Sequence, residues 1–139
     1  MNYFLAKSEP STYSIDDLQR EQSTVWDGVK NPTARIVMKS MVPGDRVFMY
    51  HSGECKIVGL FEITSLPRDS KEFPKRSTEL DVKFVAKFEE VDQMSLKEIK
   101  SISELQNWEL IRIGRLSVMK VPSEFLNLTK VQGILAKYI

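Results

Sequence analysis

One segment restricts the folding options of this chain more than any other. Leu80, Val82, Phe84, Ala86 and Phe88 alternate with Asp81, Lys83, Val85, Lys87 and Glu89. Successive strand side chains point to opposite faces, so this period of two predicts an antiparallel strand with one packed face and one wet face. Arg46-Val47-Phe48-Met49-Tyr50-His51 makes a different demand, because Val47 and Met49 oppose Phe48 and Tyr50 and the strand must be buried on both sides. After a Ser52-Gly53-Glu54 turn, Lys56 to Leu66 reads as its hairpin partner, and Gly59 inside it marks a bend or a close backbone approach. Tyr3 to Ala6 predicts a short buried strand entering the breaker-rich loop Lys7-Ser8-Glu9-Pro10-Ser11, and Leu110 to Val118 is expected to add one or two strands.

The remaining stretches carry turn and helix signals. Ser14-Ile15-Asp16-Asp17-Leu18 supplies an N-cap hydroxyl, two first-turn carboxylates and apolar residues three apart. Trp26-Asp27-Gly28-Val29-Lys30-Asn31 reads as a turn, with Asn31 capping a helix from about Pro32 to Met41. Ser95-Leu96-Lys97-Glu98 is a capping box, and Pro122 should open a C-terminal helix with Leu128, Val131, Leu135 and Tyr138 on one face. Pro67 to Glu79 reads as a long exposed loop carrying Arg68, Lys71, Lys75 and Arg76, the segment expected to move most. Five or more mostly antiparallel strands and four short helices, without regular βα alternation, predict an α+β fold. A small bent sheet or closed β-barrel with peripheral helices fits best.

Composition narrows the function classes. With 139 residues, 42% hydrophobic and 28% charged, the chain is expected to form a single domain over 1–139 rather than a disordered or fibrous polymer. The 20 Lys+Arg nearly cancel the 19 Asp+Glu, leaving a formal charge of +1, so any affinity for nucleic acid must be local. The lone Cys55 excludes an intramolecular disulfide framework, and with the single His51 it cannot complete a four-ligand zinc site. No run approaches the roughly 18 apolar residues of a membrane span. A non-secreted protein is expected, cytoplasmic, or nuclear if its source is eukaryotic, with no cofactor, no metal, no membrane partner and a monomeric state.

Several residues could carry chemistry. Trp26 offers an indole face beside Lys30 and Asn31, a combination suited to stacking a base and meeting its polar edge; the plainer reading is a core plug and a helix cap. His51 reads best as buried and hydrogen-bonded, since closeness in sequence does not align it with Cys55 as a base–nucleophile pair. Arg112, Arg115 and Ser117 suit a phosphate or an ordinary salt bridge. Phosphate-binding glycine loops and converging acid pairs are missing, so acid–base catalysis is not indicated.

Taken in order, Lys7-Ser8-Glu9-Pro10, Tyr13-Ser14-Ile15-Asp16-Asp17-Leu18, Trp26-Asp27-Gly28-Val29-Lys30-Asn31, Gly44-Asp45, Tyr50-His51-Ser52 and Arg115-Leu116-Ser117-Val118 resemble the EVE domain over nearly the whole chain. The resemblance implies a PUA-like bent β-barrel and a non-catalytic module that recognises a modified base, in DNA or RNA, with modified cytosine in DNA the leading candidate. Carried over, Ser8, Trp26, Asn31, Tyr50, His51 and Ser117 would line the base pocket, and Lys7, Lys30 and Arg115 would hold phosphate. The chain departs from the family at Lys30, where Arg is usual, and at Met119-Lys120, where Gln-Pro is usual. Competing expectations are a sensor for a free nucleotide or nucleoside and, behind it, a nuclease or base hydrolase.

Overall fold

The computed structural model describes residues 1–72 and 77–139. The strand signals assemble into one eight-stranded sheet. Its members are β1 (Tyr3–Ser8), β2 (Ser23–Val29), β3 (Arg46–His51), β4 (Lys56–Ile63), β5 (Arg68–Asp69), β6 (Thr78–Lys87), β7 (Met94–Ser95) and β8 (Val118–Lys120). The main path runs β2-β6-β4-β3-β1-β8, with β5 paired to β6 and β7 to β4. Neighbours are antiparallel except β1 and β3, which run parallel with Leu5 opposite Phe48. A parallel pair needs a crossover. Here it carries α1 (Ile15–Glu21), β2 and α2 (Pro32–Lys39). Among the described residues no pairing joins β2 to β8, so the sheet is a curled half-barrel rather than a closed one.

The two-sided burial of β3 therefore has another cause than closure. The later helices are α3 (Leu96–Lys100), α4 (Glu109–Arg112), α5 (Ser123–Leu126) and α6 (Thr129–Tyr138). Phe48 packs outward among Tyr3, Phe88 and Phe125, at ring separations of 5.8, 6.4 and 5.5 Å. Trp108 extends that layer onto Phe125 at 5.0 Å and donates its indole N–H to Lys120 O. Met49, one residue along β3, faces the concave side.

Curling is concentrated at Gly59. The register of β4 shifts on both sides of this residue, between Met49 and Tyr50 of β3 and between Leu60 and Phe61 of β4 itself. A Cβ at Gly59 would lie 2.5 Å from Ile15 Cδ1 and 2.6 Å from the Ala86 carbonyl oxygen. The bare backbone thus lets the first residue of α1 seat against the bend, the close approach that the glycine implies in the sequence.

Local caps behave as their residue types dictate. Ser14 forms a capping box with Asp17, Asn31 Oδ1 accepts from Ala34 N at 3.0 Å, and Ser95 Oγ accepts from Glu98 N at 3.0 Å. Five expectations need correction. Lys7 and Ser8, expected in a loop, continue β1, because pairing with Tyr50 and His51 of β3 carries the strand up to Glu9-Pro10. Trp26-Asp27-Gly28-Val29 is strand rather than turn, because pairing with β6 overrides the local signal; the turn chemistry survives as a register shift before Val29, with Gly28 at φ +80°. Leu110 lies in α4, and the strand begins only at Val118. The C-terminal helix is broken into α5 and α6, with Asn127 and Leu128 between them. The segment from Pro67 is not wholly loop, since Arg68 in β5 donates to Glu79 Oε1 and Asp81 Oδ1 at 2.8 Å each; Lys75 and Arg76 lie outside the described residues.

Gly59→Ala should lower unfolding free energy by about 1–3 kcal/mol, the usual penalty for overpacking. Gly114→Ala, whose added Cβ meets nothing within 4 Å, should change it by less than about 0.5 kcal/mol. Urea denaturation of the two variants beside the parent checks the contrast.

Candidate functional site

The unclosed side of the half-barrel holds a cavity of about 800 Å³. Strand alternation decides which side chains reach it. Ala6 and Ser8 of β1, Met49 of β3, Phe61 of β4, Val82 of β6, and Thr24 and Trp26 of β2 all line it, with Leu18 of α1 closing one end. Thus β1 and β2, far apart along the sheet path, become facing walls. The floor is apolar and the rim is polar, with Glu9, Thr12, Asp27, Lys30 and Ser117 around the opening. Mixed lining of this kind suits a flat, partly polar ligand.

Trp26 is half-buried, and its ring meets Phe61 edge-on, with centroids 5.6 Å apart and planes at 86°. A T-shaped contact braces the indole without covering it by a parallel ring. Ser8 stands on the opposite wall, where its Oγ donates to Tyr13 O at 2.5 Å. Tyr13 also borders the cavity and gives its phenol proton to Glu21 Oε1 at 2.5 Å. Burial first, and the Glu21 carboxylate second, push the Tyr13 phenol up to about 12.

The proposed site residues divide into two groups. Ser8, Trp26, Ser117, Lys7 and Lys30 border the cavity. Asn31, Tyr50, His51 and Arg115 do not. Asn31 is exposed and caps α2 with its side-chain oxygen. His51 is buried, its Nε2 accepting from Ile15 N at 3.1 Å while Nδ1 lies 2.5 Å from Glu54 Oε1. A ring nitrogen facing a backbone N–H must accept, so the proton sits on Nδ1 and is donated to Glu54. Tyr50 is buried on the outer face, where burial and then a hydrogen bond with Cys55 raise its phenol above the usual range. Cys55 donates its thiol to Ser52 O at 3.4 Å, so it and His51 do not form a nucleophile–base pair.

The phosphate candidates are similarly spread. The Lys7 ammonium donates to Gly114 O at 2.9 Å and lies 5.7 Å from the Tyr50 ring centre, and burial lowers its pKa. It ties the end of β1 to the loop bearing Arg115 and Ser117. Arg115 itself is exposed. Tyr13, Leu18, Thr24, Met49, Phe61 and Val82 were not anticipated in the site. Thr24 could have been found, since it shares a strand face with Trp26, but the others require knowledge of strand order. Among the described residues no group of three or more His, Cys, Asp or Glu could hold a metal ion.

A curled half-barrel with short helices and an aromatic-walled cavity at its open side defines a PUA-like domain. The chain belongs to the EVE domain family, whose match spans residues 2–129. Thymocyte nuclear protein 1 of Rattus norvegicus is 32% identical over 161 residues, covering 88% of this chain and 70% of that protein. Among solved structures, a protein of Rhodopseudomonas palustris superimposes with a TM-score of 0.85 at 31% identity, over 97% of this chain and 94% of that one. Human thymocyte nuclear protein 1, solved in complex with 5-methylcytosine-containing DNA, superimposes with a TM-score of 0.76 at 26% identity, over 99% and 96% of the two chains.

Two supports of the cavity are testable without ligand. His51→Leu strands the buried Ile15 N–H and should destabilise the fold by about 1–3 kcal/mol in denaturant unfolding. For Tyr13, the folded phenol titrates above its ordinary value of 10.0, so its contribution is present below that pH and lost as pH rises toward about 12. Stability profiles of the parent and Tyr13→Phe should therefore converge on the alkaline side over that window.

Proposed function

We propose that this protein is a non-catalytic DNA-binding module that receives one modified base, with 5-methylcytosine the leading occupant, in the cavity at the open side of its half-barrel. The observation that carries the reading is the half-buried Trp26 on the cavity wall, held by an edge-on contact with Phe61 at 5.6 Å. A base entering beside it would stack on an indole already fixed in place, an interaction worth about 1–3 kcal/mol. The apolar floor of Met49, Phe61 and Val82 suits the hydrocarbon part of the base, including an added methyl group. The complex of human thymocyte nuclear protein 1 with 5-methylcytosine-containing DNA supports this ligand class for a chain of the same family and fold.

A base inside a duplex must be turned out of the stack before it can enter, at a penalty of a few kcal/mol, so single strands and destabilised sites should bind better than intact duplex. Lys30 at the rim and Arg115 in the loop after α4 would approach phosphate in this reading. Lys7 acts instead through its bond to Gly114, which holds that loop against β1. No reacting group is assigned, since His51 and Cys55 are engaged away from the cavity.

Trp26→Ala should weaken binding of an oligonucleotide carrying 5-methylcytosine at least tenfold, with the thermal melting curve of the fold retained. Unchanged affinity in the folded variant removes the stacking role. Titration over a range of salt separates this reading from capture of a free nucleoside: an oligonucleotide held partly through phosphates loses affinity as salt rises, whereas a nucleoside in the same cavity does not.

A further inference from the structure

On the cavity wall formed by β1 and the loop after it, Ser8, Tyr13 and Glu9 present acceptors rather than donors. Ser8 Oγ gives its only proton to Tyr13 O at 2.5 Å. Rotating that proton away would leave two oxygens in contact with lone pairs facing, so the hydroxyl is locked and its remaining capacity, turned to the cavity, is to accept. Tyr13 commits its phenol proton to Glu21 at 2.5 Å. The Glu9 carboxylate receives bonds from Ser11 N at 3.3 Å, Ser11 Oγ at 3.2 Å and Ser52 Oγ at 3.4 Å, and has none to give. Lys7, whose ammonium could have supplied a donor here, is directed to Gly114 O at 2.9 Å.

This polarity has a consequence for base choice that rests on the reading of the cavity as a base-binding site. A methyl group cannot distinguish 5-methylcytosine from thymine, because both carry it at the same ring position. They differ at the neighbouring exocyclic position, where cytosine bears an amine donor and thymine a carbonyl acceptor. We propose that Ser8, locked as an acceptor by the Tyr13 carbonyl, is the specificity-determining residue that admits a pyrimidine with an exocyclic amine and rejects one with a carbonyl there. An amine would meet the Ser8 lone pairs directly. A carbonyl would set oxygen against oxygen and lose its water without a replacement bond, the situation in which polar sites discriminate most strongly. The Ser117 hydroxyl, on another part of the wall, leaves the ring's acceptor edge a route to a donor.

The test uses the full chain and two single-stranded oligonucleotides identical except for one central position, 5-methylcytosine or thymine, with affinity read by fluorescence anisotropy. The wild-type protein should favour 5-methylcytosine at least tenfold. Ser8→Ala should bring the ratio close to one by losing affinity for 5-methylcytosine, and Ser8→Thr, which keeps the hydroxyl, should preserve most of it. A wild-type ratio near one, or an unchanged ratio in folded Ser8→Ala, overturns the assignment. If Ser8→Ala does not fold, the wild-type ratio and Ser8→Thr still decide. Retained dependence on Trp26 with no discrimination between the two bases refutes the Ser8 role alone, whereas binding indifferent to Trp26→Ala refutes the cavity reading with it.

Discussion

The contact between Ile15, the Ala86 carbonyl and the bare Cα of Gly59 is the constraint from which the architecture follows. Three pieces of chain converge where a methyl group would not fit, with the nearest atoms 2.5 and 2.6 Å from the position a Cβ would occupy. Because α1 can press onto β4 there, the strand bends between two register shifts, and the sheet curls toward its own far edge. Curling without closing brings β2 opposite β1, and the space left between them is the cavity. Had the sheet closed, the same apolar residues would have filled a barrel interior; had it stayed flat, Trp26 and Ser8 would not share a cavity.

The supports of the cavity work from outside it. His51 does not border the cavity, yet it accepts the N–H of Ile15, the residue that seats on Gly59, and so links the end of β3 to the bend. Lys7 borders the cavity, but its ammonium lies over Tyr50 and anchors the loop that carries Ser117 to the rim. Both residues fall within motifs that resemble the EVE domain, and the neighbours of Lys7, Ala6 and Ser8, touch the cavity. Alternation along a strand explains this pairing of roles: in β1 one residue faces the base-sized space while the next fixes the scaffold behind it.

Much of the fold was legible in the sequence wherever local chemistry and tertiary context agree. The strand at Arg46–His51, the alternating strand from Leu80 to Lys87, and the caps at Ser14, Asn31 and Ser95 follow from residue type and spacing alone, whereas Thr78 and Glu79, expected in a loop, open that strand. Legibility failed where long-range pairing decided the outcome. Trp26-Asp27-Gly28 carries turn residues but is drawn into a strand by the pairing of Trp26 and Val29 with β6, and the parallel pairing of β1 with β3 leaves no local trace. In the site, Trp26 was identifiable as an aromatic beside polar residues, whereas Met49, Phe61 and Val82 come from three strands whose order no local pattern encodes. Asn31 and His51 were legible as a cap and as a buried hydrogen-bonded ring, and the structure places them in those roles.

Under the proposed function, the charge distribution bears on how a nearly neutral chain would engage DNA. Several cations are neutralised within the fold: Arg46 and Lys83 share Glu62, Arg68 is held by Glu79 and Asp81, Lys130 meets Glu98, and Lys137 meets Asp92 and Glu89. Pairs of this sort add little to stability at an exposed surface, but they remove positive field that would otherwise attract phosphate regardless of sequence. Nonspecific affinity for nucleic acid, which is carried by phosphate neutralisation, would thereby be kept low. Under the proposed function, the free energy of association then comes mainly from the base that enters the cavity, where stacking on Trp26 and the polarity of the Ser8 wall depend on base identity. A reader that must find one altered base among many ordinary ones benefits from this division, because specificity is the difference between the two affinities and a weak background enlarges it.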